Sequence, residues 1–263
     1  MTPAGNARPA RPGTAIGNIG WTCRKLVLAA VSLTLLCAGA VAMLVVTLGT
    51  LFQARRFYSE VMTKGLGRIL LRLWGIHIVV HAAQPFPERQ TIYISNHTSS
   101  LDMFVLVALG LPNTRFFLSG YLRKIIPFGV IGYLIGIFWT VPQEYPQQRV
   151  RIFQAAERTL RRTGESVYLS PEGTRITTGS IGHFNKGAFH LATELGAPIV
   201  PFYIWTPRAS DPGKGLDARP GTIHVHVKPA IPTHGWELGD LERNRDRVRD
   251  LFIRWHEELK PAQ

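Results

Sequence analysis

Cysteine is nearly absent from this chain. Cys23 and Cys37 are the only two in 263 residues, which excludes a disulfide framework and a thiolate zinc centre. Charge is also sparse, at 18% of residues against the usual ~25%. Acids are scarcer than bases, 17 against 30, so the formal charge is +13. Sparse charge with 46% hydrophobic residues excludes a disordered chain, which needs the opposite combination. The 25 Gly and 18 Pro follow no period, so collagen-like and low-complexity chains are excluded too. There is no internal repeat, no dense Lys/Arg run and no zinc-finger or RRM signature, so nucleic acid is not the expected partner of the basic surplus. Bases instead sit in pairs beside apolar stretches, at Arg24-Lys25, Arg55-Arg56 and Arg123-Lys124. That placement suits an anionic membrane surface, which attracts each Lys or Arg by about 1 kcal/mol.

One long hydrophobic run is present. No charged residue occurs from Leu26 to Ala54, and about 20 apolar residues suffice to cross a bilayer. The run is too long for a signal peptide's apolar core of about 7–15 residues, and its excess length allows a kinked or hairpin-like insertion near Gly39. Four units are expected: a cytoplasmic tail over residues 1–25, a transmembrane or membrane-inserted segment over 26–56, an interfacial amphipathic helix over 57–75, and an α/β domain over 76–263. The amphipathic reading rests on Lys64, Arg68 and Arg72, four apart on one face, against Val61, Ile69, Leu70, Leu73 and Trp74.

Beyond Trp74 the period shifts. Short β-branched runs at Ile76–Val80, Thr91–Ser95, Thr114–Ser119, Ser166–Ser170, Ile199–Trp205 and Thr222–Lys228 read as strands. Helical patterns at Leu101–Leu109, Gln147–Thr163, Gly187–Leu195 and Asp240–Leu259 fall between and after them. The alternation predicts an α/β fold: a largely parallel or mixed sheet flanked by helices. The uncharged stretch Ile125–Thr140 holds Pro127, Gly129, Gly132 and Gly136 and is short for a span, so it reads as buried or membrane-facing protein.

Two clusters carry chemistry. The strand ending at Ser95 runs into Asn96-His97-Thr98-Ser99-Ser100-Leu101-Asp102. With His97 in the turn and Asp102 in the first turn of the next helix, Asp102 accepts the proton of one ring nitrogen and leaves the other as a base. The spacing alone fits equally a capping Asp102 and an ordinary turn histidine. Further on, Pro171-Glu172-Gly173-Thr174-Arg175 follows a strand end and Lys186 precedes a helix. Arg175 and Lys186 there could receive an anion, although a solvated surface turn has the same pattern. His224 and His226 share a strand face but have no third ligand, so no metal site is expected.

Taken together, Asn96-His97 with Asp102, then Pro171–Arg175, then the strand opened by Pro198 and Pro201, resemble the glycerolipid acyltransferase family, as does Ile126-Pro127-Phe128-Gly129 between them. The resemblance spans about Leu70 to Lys228. It implies transfer of a fatty acyl group from acyl-CoA or acyl carrier protein to the free hydroxyl of 1-acyl-glycerol-3-phosphate at the bacterial cytoplasmic membrane, with no cofactor beyond the acyl donor. It implies His97 as general base and Asp102 as its orienting partner. Asn96, Glu172, Gly173, Thr174, Arg175 and Lys186 are then expected at the lyso-lipid acceptor. Other lyso-lipids, such as lyso-ornithine lipid or a lysophospholipid, and a non-catalytic lipid-binding role are the alternatives. One departure bears on the acceptor: Pro142 stands where the family usually carries an arginine facing the acceptor's phosphate, and Arg149 or Arg151 would have to substitute for it.

Overall fold

The computed structural model describes residues 15–215 and 217–259. Most of the expected 1–25 tail lies outside them, but its last part does not: α1 (Ala15–Gly49) is already helical ahead of Leu26. Its Trp21–Gly49 stretch is long and apolar enough to cross a membrane. The helix is unbroken at Gly39, so the kink or hairpin that its length allowed is not adopted. A Cβ at Gly39 would lie 2.7 Å from the Leu66 side chain, so the glycine serves close helix packing. Leu36, Ala40, Met43 and Thr47 are buried and recur at the three- and four-residue steps of a single helix face. Leu26, Val27, Val31, Val41, Val45 and Leu48 on the rest of the helix are exposed.

The chain turns back through Leu51 and Phe52, both at positive φ, and a π-helical stretch Phe57–Met62 leads into α2 (Thr63–Leu73). This segment, expected as an interfacial helix, packs partly on the domain. Leu70 and Leu71 are buried in the core, and Arg68 Nε donates to the Ala108 carbonyl at 3.1 Å. Gly67 lies against Val107 and Ala108. The basic face is therefore partly spent on the domain, while Val61 and Ile69 remain exposed.

Seven strands form one sheet: β1 (Ile76–His81), β2 (Ile92–Ser95), β3 (Thr114–Ser119), β4 (Phe138–Thr140), β5 (Ser166–Leu169), β6 (Ile199–Trp205) and β7 (Gly221–Val227). Their order is β1-β7-β6-β2-β5-β3-β4, with every pair parallel except β6 and β7. Six of these strands match the expected runs. β4 and the helix before it, α4 (Ile126–Ile135), resolve the uncharged stretch: Ile131, Leu134 and Ile135 are buried while Ile126 and Tyr133 are exposed.

The remaining helices are α3 (Asp102–Leu109), α5 (Pro146–Thr163), α6 (Gly187–Leu195) and α7 (Leu241–Leu259). Strand side chains alternate between two cores. Tyr93 and Tyr168 join α1–α4, whereas Ile92, Ile94, Val167 and Leu169 join α5–α7. The sheet thus divides an apolar helix layer from a charged one. At the rim, buried Glu165 receives both Arg55 and Arg115, fixing the segment after α1 to β5 and β3. Burial holds the Arg55 guanidinium below its ordinary pKa.

Candidate active site

β2 lies at the centre of the sheet, buried along its length, with β5 on one side and β6 on the other. Chain order diverges there, and in open α/β sheets the crevice beyond the carboxyl end of such a strand is where ligands bind. Asn96 and His97 occupy that end. Asn96 is buried, and its side-chain amide is spent on the neighbouring strand. Nδ2 donates to the Ile204 carbonyl at 2.9 Å, and Oδ1 accepts the Ile204 N–H at 2.8 Å. Asn96, expected at the acceptor, therefore extends the sheet ladder and locks the turn.

His97 Nδ1 lies 2.8 Å from Asp102 Oδ2. The same oxygen accepts the Thr98 and Ser99 N–H groups, each at 3.0 Å. Asp102 is the first residue of α3 and is 1% exposed, and its carboxylate binds the turn that precedes the helix as well as the histidine, rather than capping the helix. Three donors on one oxygen set the imidazole plane and put the hydrogen on Nδ1. Nε2 then has its lone pair free, on a side chain 28% exposed, and carries no hydrogen bond among the described residues. This half-open imidazole can take a proton from a bound hydroxyl.

Glu172, expected at the acceptor, holds the turn that carries His97. It is 2% exposed, with Oε2 accepting the His97 N–H at 2.5 Å and Oε1 the Gly182 N–H at 2.7 Å. It braces the backbone of His97. Burial raises its pKa to about 7, against the opposing pull of these two N–H groups. Ile176 N–H donates to the His97 carbonyl at 2.8 Å, so the Glu172–Arg175 loop is tied to the histidine at both ends. Gly173 turns that loop at φ 67°, where a Cβ would stand 2.9 Å from Asn185 Nδ2.

Thr174 is exposed and Arg175 half-buried. The Arg175 guanidinium has one long contact, to the Lys214 carbonyl at 3.5 Å, and no carboxylate partner among the described residues. It is placed to receive an anion. The Lys186 ammonium, expected at the acceptor, pairs with Glu242 at 2.5 Å on the α7 side, where both side chains are exposed. Asn185, which sequence reading passed over, holds the loop by donating to the Pro171 and Glu172 carbonyls at 2.9 and 3.1 Å.

Two features flank this centre. A cavity of about 570 Å³ is walled by α1 residues such as Leu26, Ala29 and Leu33, by Leu70 and Trp74, and by Ser100, Leu101 and Phe104 just past His97. On the opposite flank Pro142 is exposed and brings no cation. Arg149 reaches back toward it, Nη1 donating to the Val141 carbonyl at 3.1 Å, while Arg151 is exposed.

Fold and site together define an α/β protein with a His–Asp pair at the carboxyl edge of its sheet, beside the Arg175 loop and an apolar helix layer. Residues 77–205 match the family model described as Acyltransferase, and the chain carries an acyltransferase-family domain. It is similar to 1-acyl-sn-glycerol-3-phosphate acyltransferase alpha of Bos taurus, 30% identical over 185 residues, 69% of this chain and 63% of that protein. It is also similar to the 1-acyl-sn-glycerol-3-phosphate acyltransferase of Limnanthes alba, 27% identical over 192 residues, 72% of this chain and 66% of that protein. The chain thus spans less than two thirds of the length of these relatives. The crystal structure of the 1-acyl-sn-glycerophosphate acyltransferase PlsC from Thermotoga maritima superposes with a TM-score of 0.73 at 22% identity. That match covers 94% of this chain and 98% of that one, and the two share a fold.

Proposed function

We propose that this protein is a membrane acyltransferase that moves a fatty acyl group from a thioester, acyl-CoA or acyl carrier protein, to the free hydroxyl of 1-acyl-glycerol-3-phosphate, giving phosphatidic acid. The observation that carries the reading is the His97–Asp102 pair with Nε2 open, between the Arg175 loop and the apolar cavity. His97 Nε2 removes the hydroxyl proton as the oxygen attacks the thioester carbonyl. The C–S bond then breaks, and the imidazolium returns the proton to the departing thiolate, leaving an ester and a free thiol. A thioester is already activated, so base assistance of about 10²–10⁴ with positioning is an adequate catalytic share. Asp102 holds the imidazole and faces the charge that develops on it. Arg175 receives the acceptor's anionic headgroup as a planar fork, and the cavity between α1 and α3 receives an acyl chain.

The exposed apolar faces of α1 and α4 support attachment to the bacterial cytoplasmic membrane with the sheet domain on the cytoplasmic side. Pro142 favours a second reading, an acceptor with less phosphate exposed, such as lyso-ornithine lipid or a lysophospholipid. A charge-assisted contact is typically worth about 1.5–3 kcal/mol, and Arg149, which reaches back to Val141 beside Pro142, already spends a donor there. The deciding experiment incubates the full chain with acyl-CoA and a panel of lyso-lipids at equal surface concentration, following free thiol and lipid product together. Thiol release coupled to phosphatidic acid formation from 1-acyl-glycerol-3-phosphate is expected. Thiol release with none of these acceptors would overturn the acyltransferase reading. Clear preference for a phosphate-poor acceptor would move the assignment to the second.

A further inference from the structure

The charged layer of the fold carries an asymmetry that the acyl-transfer chemistry does not use. α7 has five arginines and five acids. α5 has five arginines and one glutamate. Of the five, Arg161 is paired with Glu157 and Glu194, and Arg149 bonds Val141. Arg151, Arg158 and Arg162 are exposed, and none has a carboxylate within ion-pair distance among the described residues. At about 100° per residue, Arg158 and Arg162 fall about 20° to either side of Arg151. The three therefore make one straight stripe roughly 16 Å long. It lies opposite buried Ala156 and Leu160, so it points straight out from the domain.

Its place in the fold selects the partner. The apolar faces suited to lipid are on α1 and α4, on one side of the sheet, whereas α5 belongs to the core on the other. The stripe therefore faces water. The helix that carries it is entered from the candidate site: Val141–Gln143 lead into α5, and Gln143 Nε2 lies 3.4 Å from the position a Cβ would take on Gly173. Phe153, one turn on from Arg149, packs against Gly187 at the start of α6.

From this geometry we propose that the Arg151–Arg158–Arg162 stripe docks an acidic, soluble acyl carrier protein and aligns its thioester-bearing arm with His97. The proposal rests on the acyltransferase reading and makes the carrier protein, rather than free acyl-CoA, the donor this face recognises. Rim charges of this kind act on encounter rate and salt dependence more than on the chemical step.

The test compares the full-length protein with the triple variant R151Q/R158Q/R162Q, since glutamine keeps helix propensity close to arginine's. Three measurements are made: kinetics with acyl carrier protein and with acyl-CoA as donors, binding of unacylated carrier protein by fluorescence anisotropy, and association with vesicles containing anionic phospholipid. The variant should lose roughly tenfold in kcat/KM for the acylated carrier, with a flatter salt dependence and a matching loss of carrier binding. Acyl-CoA kinetics and vesicle association should stay within twofold. Unchanged carrier binding and kinetics would overturn the proposal, as would an equal fall with both donors. Vesicle association that falls while carrier kinetics hold would assign the stripe to lipid and overturn it too. A wild-type protein that turns over acyl-CoA but neither binds nor uses the carrier would overturn the docking while leaving the acyltransferase reading intact. Carrier binding without turnover of either donor would support the docking and count against that reading.

Discussion

Replacing Asp102 with asparagine separates two things the carboxylate does for His97, and the structure predicts which one is lost. Oδ2 accepts His97 Nδ1 at 2.8 Å and the Thr98 and Ser99 N–H groups at 3.0 Å, whereas Oδ1 is buried with no partner. Three donors converge on one seat, so the asparagine oxygen takes it and the amide nitrogen takes the empty position. The Nδ1–H tautomer survives and Nε2 is still a base. What disappears is the negative charge facing the imidazolium formed during transfer. Two unit charges about 4 Å apart interact by about 4 kcal/mol at an effective dielectric of 20. The imidazole is partly exposed and the neutral oxygen keeps part of the hydrogen bond, so about 2–3 kcal/mol is expected. That is roughly 30–150-fold in kcat/KM. Burying an unpaired NH₂ costs a further about 1–3 kcal/mol of stability. Thiol release under saturating donor, beside a thermal unfolding curve, measures both. An Asp102→Asn protein within threefold of wild type would refute the electrostatic role. A folded one as inert as a protein without the imidazole would show that orientation, not charge, was lost.

Three further outcomes are expected. Arg175→Ala should raise KM for an anionic acceptor by roughly tenfold or more with little change in donor KM; steady-state kinetics with each substrate varied checks this. Lys186→Ala should leave both substrates' kcat/KM within about twofold, because the ammonium is paired with Glu242 at an exposed site, where such pairs contribute little. Glu172 binds its proton more tightly folded, near pH 7, than its ordinary 4.5. Its contribution to stability is therefore full below about pH 4.5 and is lost as pH rises through 7. The stability of wild type relative to Glu172→Gln should fall across that window in urea unfolding, and a flat difference would contradict the burial argument.

The parts of the fold that were legible are those with a local signature. β-branched runs between turn residues located six strands, and His97 and Asp102 are five residues apart, within one strand-to-helix turn, so their pairing could be read along the chain. Ile125–Thr140 was not resolvable into α4 and β4 because it is apolar on every face. α4 packs on α1 with one side and leaves Ile126 and Tyr133 exposed on another, so no helical stripe appears. What Asn96 and Lys186 bind within the chain is not legible for a different reason. Their partners, Ile204 and Glu242, are distant in sequence, and nothing near either residue announces them. The Phe57–Trp74 helix shows the same limit: its basic face is readable, but that Leu70 and Leu71 join the core depends on where the later α3 folds.

Replacement of His97 by alanine bears most closely on the mechanism. The purified full-length variant should release no thiol above background and form no lipid product with any acceptor in the panel. Its unfolding curve and vesicle association should match wild type, because the braces at this turn act through the His97 backbone, Asp102, Glu172 and Asn96. Substantial transfer by folded, membrane-associated His97→Ala protein would contradict general-base catalysis at this position.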